Sequence, residues 1–340
     1  MTQEQVVILQ SPRHCLRSAM LASCVALSAF GFAQGAQAKP VYTSFDLPDA
    51  SSLTVVGIND KGVIGGYYAN ENVGSEGFVR AADGTVTSFD PSGEGVTVAS
   101  GMSSKGAVVG TYFNGQSYVG FVRAPNGKIT AYNFPGSPQS SSTGINSAGV
   151  VTGSYVGGDT HSHGYLCTKG AYASFDPTGA FSTYPTNIND SGVVAGTFSD
   201  VNGTHGFVMA ANGTITAWDP PGSTATYVFG INAKGAIIGY YVDGSDVPAY
   251  VRSPDGTFTT FLVPGTAGTS VAAINGKGAI AGSYANGSNA EGYVRAAGGK
   301  ITTFDYPDAD STAPGGINDT GTIAGNYSAS GASHGFLRAN

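Results

Sequence analysis

The stretch GINDKGVIGGYY, residues 57–68, determines the fold because related copies of it recur along the whole chain. The Gly-Ile-Asn anchor, or a close variant of it, begins at seven positions separated by 44 or 43 residues: Gly57, Gly101, Gly144, Asn187, Gly230, Ala273 and Gly316. Self-similarity with a period of about 20 to 50 residues indicates a repeat architecture. We therefore expect one repeat domain over residues 39–340, although a length of 340 residues alone suggests two domains.

Each unit is predicted to form four short antiparallel strands, A to D. A glycine such as Gly62 follows the anchor and allows the positive φ angle that a tight A–B turn requires. Asp-Gly or Asn-Gly pairs, which are strong hairpin signals, separate strands C and D in four units: residues 83–84, 126–127, 212–213 and 255–256. No segment after residue 38 shows the sustained apolar period of a helix, so the domain should be all-β.

Seven such units predict a seven-bladed β-propeller with four antiparallel strands in each blade. Strand B contains consecutive apolar residues such as Val108 and Val109, which is typical of a strand covered on both faces. An open solenoid is the alternative, but it would require atypical capping repeats, and none is evident. Segment 41–46 matches strand D without strands A to C before it. We predict that it pairs with strand C of the last unit, at about 334–339, and thereby closes the ring.

Residues 1–38 have the features of a secretory signal peptide. Arg13 and Arg17 supply positive charge, residues 19–32 are largely apolar, and Ala36-Gln37-Ala38 is a small-residue cleavage site. The apolar run is too short to span a membrane. Cleavage after Ala38 would leave a secreted or periplasmic protein.

Charge and cysteine content exclude several functional classes. The net charge of −7 becomes −8 without residues 1–38, because that segment contains two arginines and one glutamate. This argues against nucleic-acid binding, which requires a basic surface. Two of the three cysteines lie in the signal segment, which leaves Cys167 without an intrachain disulfide partner. No cofactor motif or metal-ligand set is evident, and we expect a monomer.

The repeat unit resembles that of the HAF-type extracellular repeat proteins. Three units carry the matching motif before strand C: His163-Gly164-Tyr165, Thr204-His205-Gly206-Phe207 and Ser333-His334-Gly335-Phe336. The other four units depart from it with Glu76, Val119, Pro248 and Glu291 in place of the histidine. The resemblance covers all seven units and implies export and a repeat fold. It implies no particular reaction, so it identifies no catalytic residue.

The loops of a propeller blade alternate between the two faces of the ring, so the B–C and D–A loops share one face. The D–A loops are the longest and most variable, and we expect the functional site on this face. The column preceding strand C also lies there, and it supplies five candidate catalytic acids or bases: His163, His205, His334, Glu76 and Glu291. The structural interpretation is that this position caps strand C and bonds the neighbouring D–A backbone.

Two further columns allow both structural and functional interpretations. One follows the strand D aromatic residue: Asp46, Asp90, Asn133, Asp176, Asp219, Leu262 and Asp305. Paired carboxylates could cleave a glycoside, whereas Asp before Pro or Gly is ordinary turn chemistry. The other column lies on strand C: Arg80, Arg123, Arg252, Arg295 and Arg338. It predicts either pairing across blades or a polyanion-binding stripe, and the negative net charge opposes the stripe.

Two hypotheses for function follow. The first is an exported, non-catalytic binding scaffold for an extracellular glycan or another polymer, with exposed aromatic and polar binding residues: Tyr118, His161, Tyr184 and Tyr227. The second is an exported polysaccharide hydrolase or lyase that uses one of the three column histidines with a neighbouring carboxylate. A catalytic site should bring a histidine and a carboxylate within hydrogen-bond reach in one concave pocket.

Overall fold

A computed structural model describes residues 39–72 and 74–339. These residues form seven four-stranded antiparallel sheets and no helix, which confirms the prediction of a seven-bladed β-propeller. It follows that no helix in the described ranges could cross a membrane. The predicted signal peptide, residues 1–38, lies outside the described residues.

Strand β1 (Val41–Phe45) is the first strand in the sequence but belongs to the last blade. Blades 1 to 4 come next along the chain. Blade 1 comprises β2 (Ala50–Ile58), β3 (Ile64–Asn70), β4 (Gly74–Arg80) and β5 (Val86–Phe89). Blade 2 comprises β6 (Thr97–Met102), β7 (Val108–Phe113), β8 (Tyr118–Arg123) and β9 (Ile129–Tyr132). Blade 3 comprises β10 (Ser140–Ile145), β11 (Val151–Val156), β12 (Ser162–Thr168) and β13 (Ala171–Phe175). Blade 4 comprises β14 (Ser182–Ile188), β15 (Val194–Asp200), β16 (Gly203–Met209) and β17 (Ile215–Trp218).

The remaining three blades complete the ring. Blade 5 comprises β18 (Ala225–Ile231), β19 (Ile237–Val242), β20 (Ala249–Arg252) and β21 (Phe258–Phe261). Blade 6 comprises β22 (Thr269–Ile274), β23 (Ile280–Asn286), β24 (Asn289–Arg295) and β25 (Ile301–Phe304). Blade 7 comprises β26 (Ser311–Ile317), β27 (Ile323–Ala329) and β28 (Ala332–Ala339), with β1 as its fourth strand.

The two ends of the domain meet in blade 7, as the sequence predicts. Strand β1 pairs antiparallel with β28, from Val41 opposite Ala339 to Phe45 opposite Gly335. The buried Phe45 ring also faces blade 1, where it lies 6.2 Å from the Phe78 ring and 5.1 Å from the Arg80 guanidinium. Because β1 contacts both blades, it closes the sheet and the ring together.

The Gly-Ile-Asn anchor joins the inner strands of neighbouring blades. In Asn146, for example, Oδ1 accepts hydrogen bonds from its own A–B turn, while Nδ2 donates to the Asn189 carbonyl of the next blade at 3.3 Å. Five asparagines make this inter-blade bond: Asn146, Asn189, Asn232, Asn275 and Asn318. Blade 2 has Ser103 instead, and Nδ2 of the preceding Asn59 is buried without a hydrogen-bond partner. The anchor therefore has a structural role.

The arginine column on strand C also joins blades. Each of the five guanidinium groups lies 4.8 to 5.3 Å from the centre of the strand D aromatic ring of the preceding blade: Arg80, Arg123, Arg252, Arg295 and Arg338. This distance allows a cation–π interaction. Blades 3 and 4 have the buried residues Cys167 and Met209 at this position. Of the two interpretations of the column, pairing across blades accounts for this geometry.

Candidate functional site

The B–C turns and D–A loops lie on one side of the ring, which we call the BC/DA face. The column that precedes strand C lies on this face and includes His163 of blade 3. Its Nδ1 lies 2.8 Å from Oδ2 of Asp176, and its Nε2 lies 3.0 Å from Oδ1 of Asp159. Both ring nitrogens are therefore engaged by carboxylates of the same blade.

Blade 4 repeats this arrangement, and blade 7 repeats half of it. The His205 ring lies 2.7 Å from Asp219 through Nδ1 and 3.1 Å from Asp200 through Nε2. The His334 ring contacts Asp46 of β1 through Nδ1 at 2.6 Å and stacks on Tyr327. The histidine–carboxylate contact that a catalytic site needs thus occurs three times, once in each of three blades.

The aspartate column fixes the path of the chain between blades. Oδ1 of Asp176 accepts a hydrogen bond from Thr183 at 2.5 Å, and Oδ1 of Asp219 accepts one from Thr226 at 2.5 Å. In each case the threonine lies on strand A of the next blade, while the other carboxylate oxygen meets the histidine. The column histidine, the aspartate and this threonine form a hydrogen-bonded chain that holds the D–A loop. A role in loop structure accounts for these contacts.

The stability of the protein should depend on pH through His163 and His205, the two histidines that each contact two carboxylates. Burial lowers the pKa of His163 and His205, but their carboxylate partners outweigh it and raise each pKa above its ordinary value. The protonated histidines stabilise the folded protein through these carboxylates. Their contribution is complete below the unfolded-state pKa of about 6.5 and is lost as the pH rises through the higher folded-state pKa. We expect the stability difference between the wild type and a His163→Gln/His205→Gln variant to shrink from about pH 6 to about pH 9. Urea unfolding of both proteins across this pH range measures it, and a constant difference would contradict it.

The two glutamates of the column are also engaged within their own blades. Glu76 accepts a hydrogen bond from the Tyr68 hydroxyl at 2.6 Å. Glu291 accepts hydrogen bonds from the Tyr284 hydroxyl and from Asn286, and these hold the pKa of Glu291 below its usual range. A general acid at neutral pH requires a raised carboxyl pKa. The lowered pKa keeps Glu291 ionised at neutral pH, so it does not meet this requirement for a general acid.

A groove on the BC/DA face lies between blades 5 and 6 and has a volume of about 730 Å³. Tyr227, Tyr240 and Val247 are among the residues of its blade 5 side. The blade 6 side carries hydroxyl, amide and aromatic groups, from Thr269, Ser270, Ser283, Tyr284 and Asn289. The volume is in the usual range for a small-molecule site.

The groove combines an aromatic surface with neutral polar groups. The Tyr227 and Tyr240 rings lie 5.0 Å apart at 34°, and burial raises the pKa of Tyr240, which keeps its hydroxyl neutral. None of the lining residues is Asp, Glu, Lys, Arg or His. The groove is thus suited to an uncharged ligand that presents both apolar surface and hydroxyl groups.

The structure distributes the four predicted binding residues along the BC/DA face. Tyr227 lines the large groove but is half-buried, which corrects the expectation that it is exposed. Tyr118 is 45% exposed and lines a second groove, between blades 2 and 3. Tyr184 is 48% exposed on blade 4, and the His161 ring stacks on Phe181 at 6.3 Å. The four side chains therefore do not form one pocket.

Sequence reasoning missed Tyr240, Ser270 and Ser283, although their repeat columns carried a signal. The position that follows the invariant strand B glycine varies widely: Tyr67, Thr111, Ser154, Thr197, Tyr240, Ser283 and Asn326. A position that varies beside an invariant one indicates that the fold does not require a particular side chain there.

Comparison with solved structures supports the fold. The chain is similar to virginiamycin B lyase from Staphylococcus aureus, with 17% identity, a TM-score of 0.62, and coverage of 88% of this chain and 99% of the lyase. A catalytically inactive variant of that lyase with quinupristin gives 18% identity, a TM-score of 0.61 and coverage of 88% and 99%. The β-propeller domain of the Trilobed protease from Pyrococcus furiosus gives 8% identity, a TM-score of 0.57 and coverage of 85% and 96%.

No protein-family model matches the chain, and no curated protein matches it. Identities below 20% with near-complete coverage show a shared propeller fold. A propeller fold hosts many activities, so function must be argued from the site itself.

Proposed function

We propose that this protein, exported after removal of residues 1–38, is a non-catalytic scaffold that binds a neutral glycan in the groove between blades 5 and 6. The observation that carries the proposal is the uncharged lining of that groove, with Tyr227 and Tyr240 on one side and serine hydroxyls on the other. A sugar ring presents C–H groups that can pack on an aromatic ring and hydroxyl groups that can exchange hydrogen bonds with serine and asparagine.

The alternative, a polysaccharide hydrolase or lyase, is less well supported by the contacts. A histidine that acts as a general base needs a ring nitrogen that can accept the substrate proton. Carboxylates engage both nitrogens of His163 and of His205, whereas His334 contacts one carboxylate, through Nδ1. None of the three histidines lines the groove between blades 5 and 6.

Titration calorimetry with neutral hexasaccharides (cellohexaose, maltohexaose, mannohexaose and chitohexaose) tests the proposal on the protein over residues 39–340. We expect at least one of them to bind, and Tyr240→Ala to weaken that binding about tenfold or more, a change of about 1.4 kcal/mol. His205→Gln is the matched control, with unchanged affinity. Failure of all four sugars to bind would contradict the proposal. New reducing ends or unsaturated products that disappear when His163, His205 or His334 is replaced by glutamine would favour the enzyme instead.

A further inference from the structure

We infer that the molecule carries a second copy of this glycan site, in the groove between blades 2 and 3. The inference rests on the proposed function of the first groove. The second groove has a volume of about 250 Å³ and also lies on the BC/DA face. Its lining likewise contains no Asp, Glu, Lys, Arg or His.

The two grooves are lined by equivalent positions of the repeat, three blades apart. Ser141, Ser154 and Tyr155 of the smaller groove correspond to Ser270, Ser283 and Tyr284 of the larger one, each 129 residues further along the chain. The same offset relates five more pairs: Thr111 to Tyr240, Tyr118 to Val247, Gln139 to Gly268, Ser140 to Thr269, and Val156 to Ala285. The same set of repeat positions therefore lines a groove at two places in the ring.

A serine pair that lines each groove distinguishes blades 3 and 6 from the others. Ser141 lies opposite Ser154, with their hydroxyl oxygens 2.9 Å apart, and Ser270 lies opposite Ser283. The other five blades carry at least one larger side chain in this pair: Thr54 and Tyr67, Val98 and Thr111, Tyr184 and Thr197, Tyr227 and Tyr240, and Ala313 and Asn326. Two small residues leave space between the blades.

Each groove also follows a blade that lacks the acid–base pair of the loop columns. Blade 5 has Pro248 and Leu262 in place of the histidine and aspartate, and blade 2 has Val119 and Asn133. The remaining five blades all carry a His or Glu in the first column and an Asp in the second. Pro248 and Val119 directly follow the lining residues Val247 and Tyr118, so the loss of both ionisable groups in these two blades lowers the charge beside each groove. A neutral ligand avoids the desolvation cost that a charged one would incur there.

Two side chains of the second groove are longer than their counterparts in the larger groove. Tyr118 and Gln139 occupy the positions where the larger groove has Val247 and Gly268. These longer side chains narrow the groove but add an aromatic ring, 45% exposed, and an amide. The second groove should therefore bind fewer sugar units of the same neutral chain.

Calorimetric stoichiometry with the hexasaccharide that binds the wild type tests the inference. We expect two molecules bound per chain, one in Ser154→Tyr, one in Ser283→Tyr and none in the double variant. Tyrosine stands at this strand B position in blades 1 and 5 as Tyr67 and Tyr240, so the fold accommodates it. Asn326→Tyr, at the same strand B position in blade 7, is the control and should leave two, because blade 7 lines neither groove.

The outcomes separate the two proposals. A stoichiometry of one that Ser283→Tyr abolishes and Ser154→Tyr leaves unchanged would overturn the second site and leave the proposed function standing. If Ser283→Tyr kept all the binding of the wild type, the proposed function itself would be overturned. If circular dichroism shows that Ser154→Tyr is not folded, Ser141→Tyr takes its place, because blades 4 and 5 carry Tyr184 and Tyr227 there.

Discussion

Phe45→Ala should destabilise the whole propeller by about 3 to 5 kcal/mol, the usual cost of truncating a buried phenylalanine. The Phe45 ring is 9% exposed, covers Gly335 of β28, and meets Phe78 and Arg80 of blade 1. Its loss removes packing in blade 7 and a cation–π contact across the ring closure. Unfolding in urea, monitored through the fluorescence of Trp218, measures the change in the free energy of unfolding. Trp218 is the only tryptophan of the chain.

Val41→Ala is the matched control on the same strand. Val41 is 63% exposed, so its truncation should change the free energy of unfolding by no more than about 0.5 kcal/mol. If Phe45→Ala were as mild as Val41→Ala, β1 would not be the fourth strand of blade 7, and the ring would close by some other means.

Gly153→Ala should be at least as damaging, with a cost of more than about 4 kcal/mol. An added methyl group at Gly153 would overlap the Ser141 carbonyl oxygen and come within 2.9 Å of the buried Tyr165 ring. The carbonyl belongs to a paired strand and the ring is completely buried, so neither can move aside cheaply. The same urea unfolding assay measures the cost.

Gly298→Ala provides the comparison for Gly153→Ala. A methyl group at Gly298 meets no atom within 4 Å, and its backbone is not in the left-handed region. We expect a change of at most about 0.5 kcal/mol. Equal effects of the two substitutions would mean that the close approach of strands A and C to Gly153 is not real.

Much of this architecture was predictable because the repeat constrains the backbone in every unit. The strand B glycine is invariant since each copy lies between a strand A carbonyl and a strand C aromatic ring, as Gly66 does between Thr54 and Phe78. Segment 41–46 was recognisable as a strand D because it repeats the motif around Phe89. Steric requirements of this kind appear in the sequence as fixed columns.

The candidate site was less predictable because it depends on exceptions to the repeat. The histidine column attracted a catalytic hypothesis, yet His163 and His205 bond aspartates that hold the D–A loops. The grooves arise where the columns fail, at Val119 and Pro248, and where serines replace larger residues. Their lining comes from neighbouring blades, and one repeat unit read alone does not show which side chains meet across a blade border.

The most direct test of this account is a crystal structure of the protein over residues 39–340 with the tightest-binding neutral hexasaccharide. The account predicts sugar density between blades 5 and 6, with a sugar ring against Tyr227 or Tyr240 and hydroxyl contacts to Ser270 or Ser283. Sugar bound on the opposite face, or against His163 or His205, with the groove empty, would contradict it.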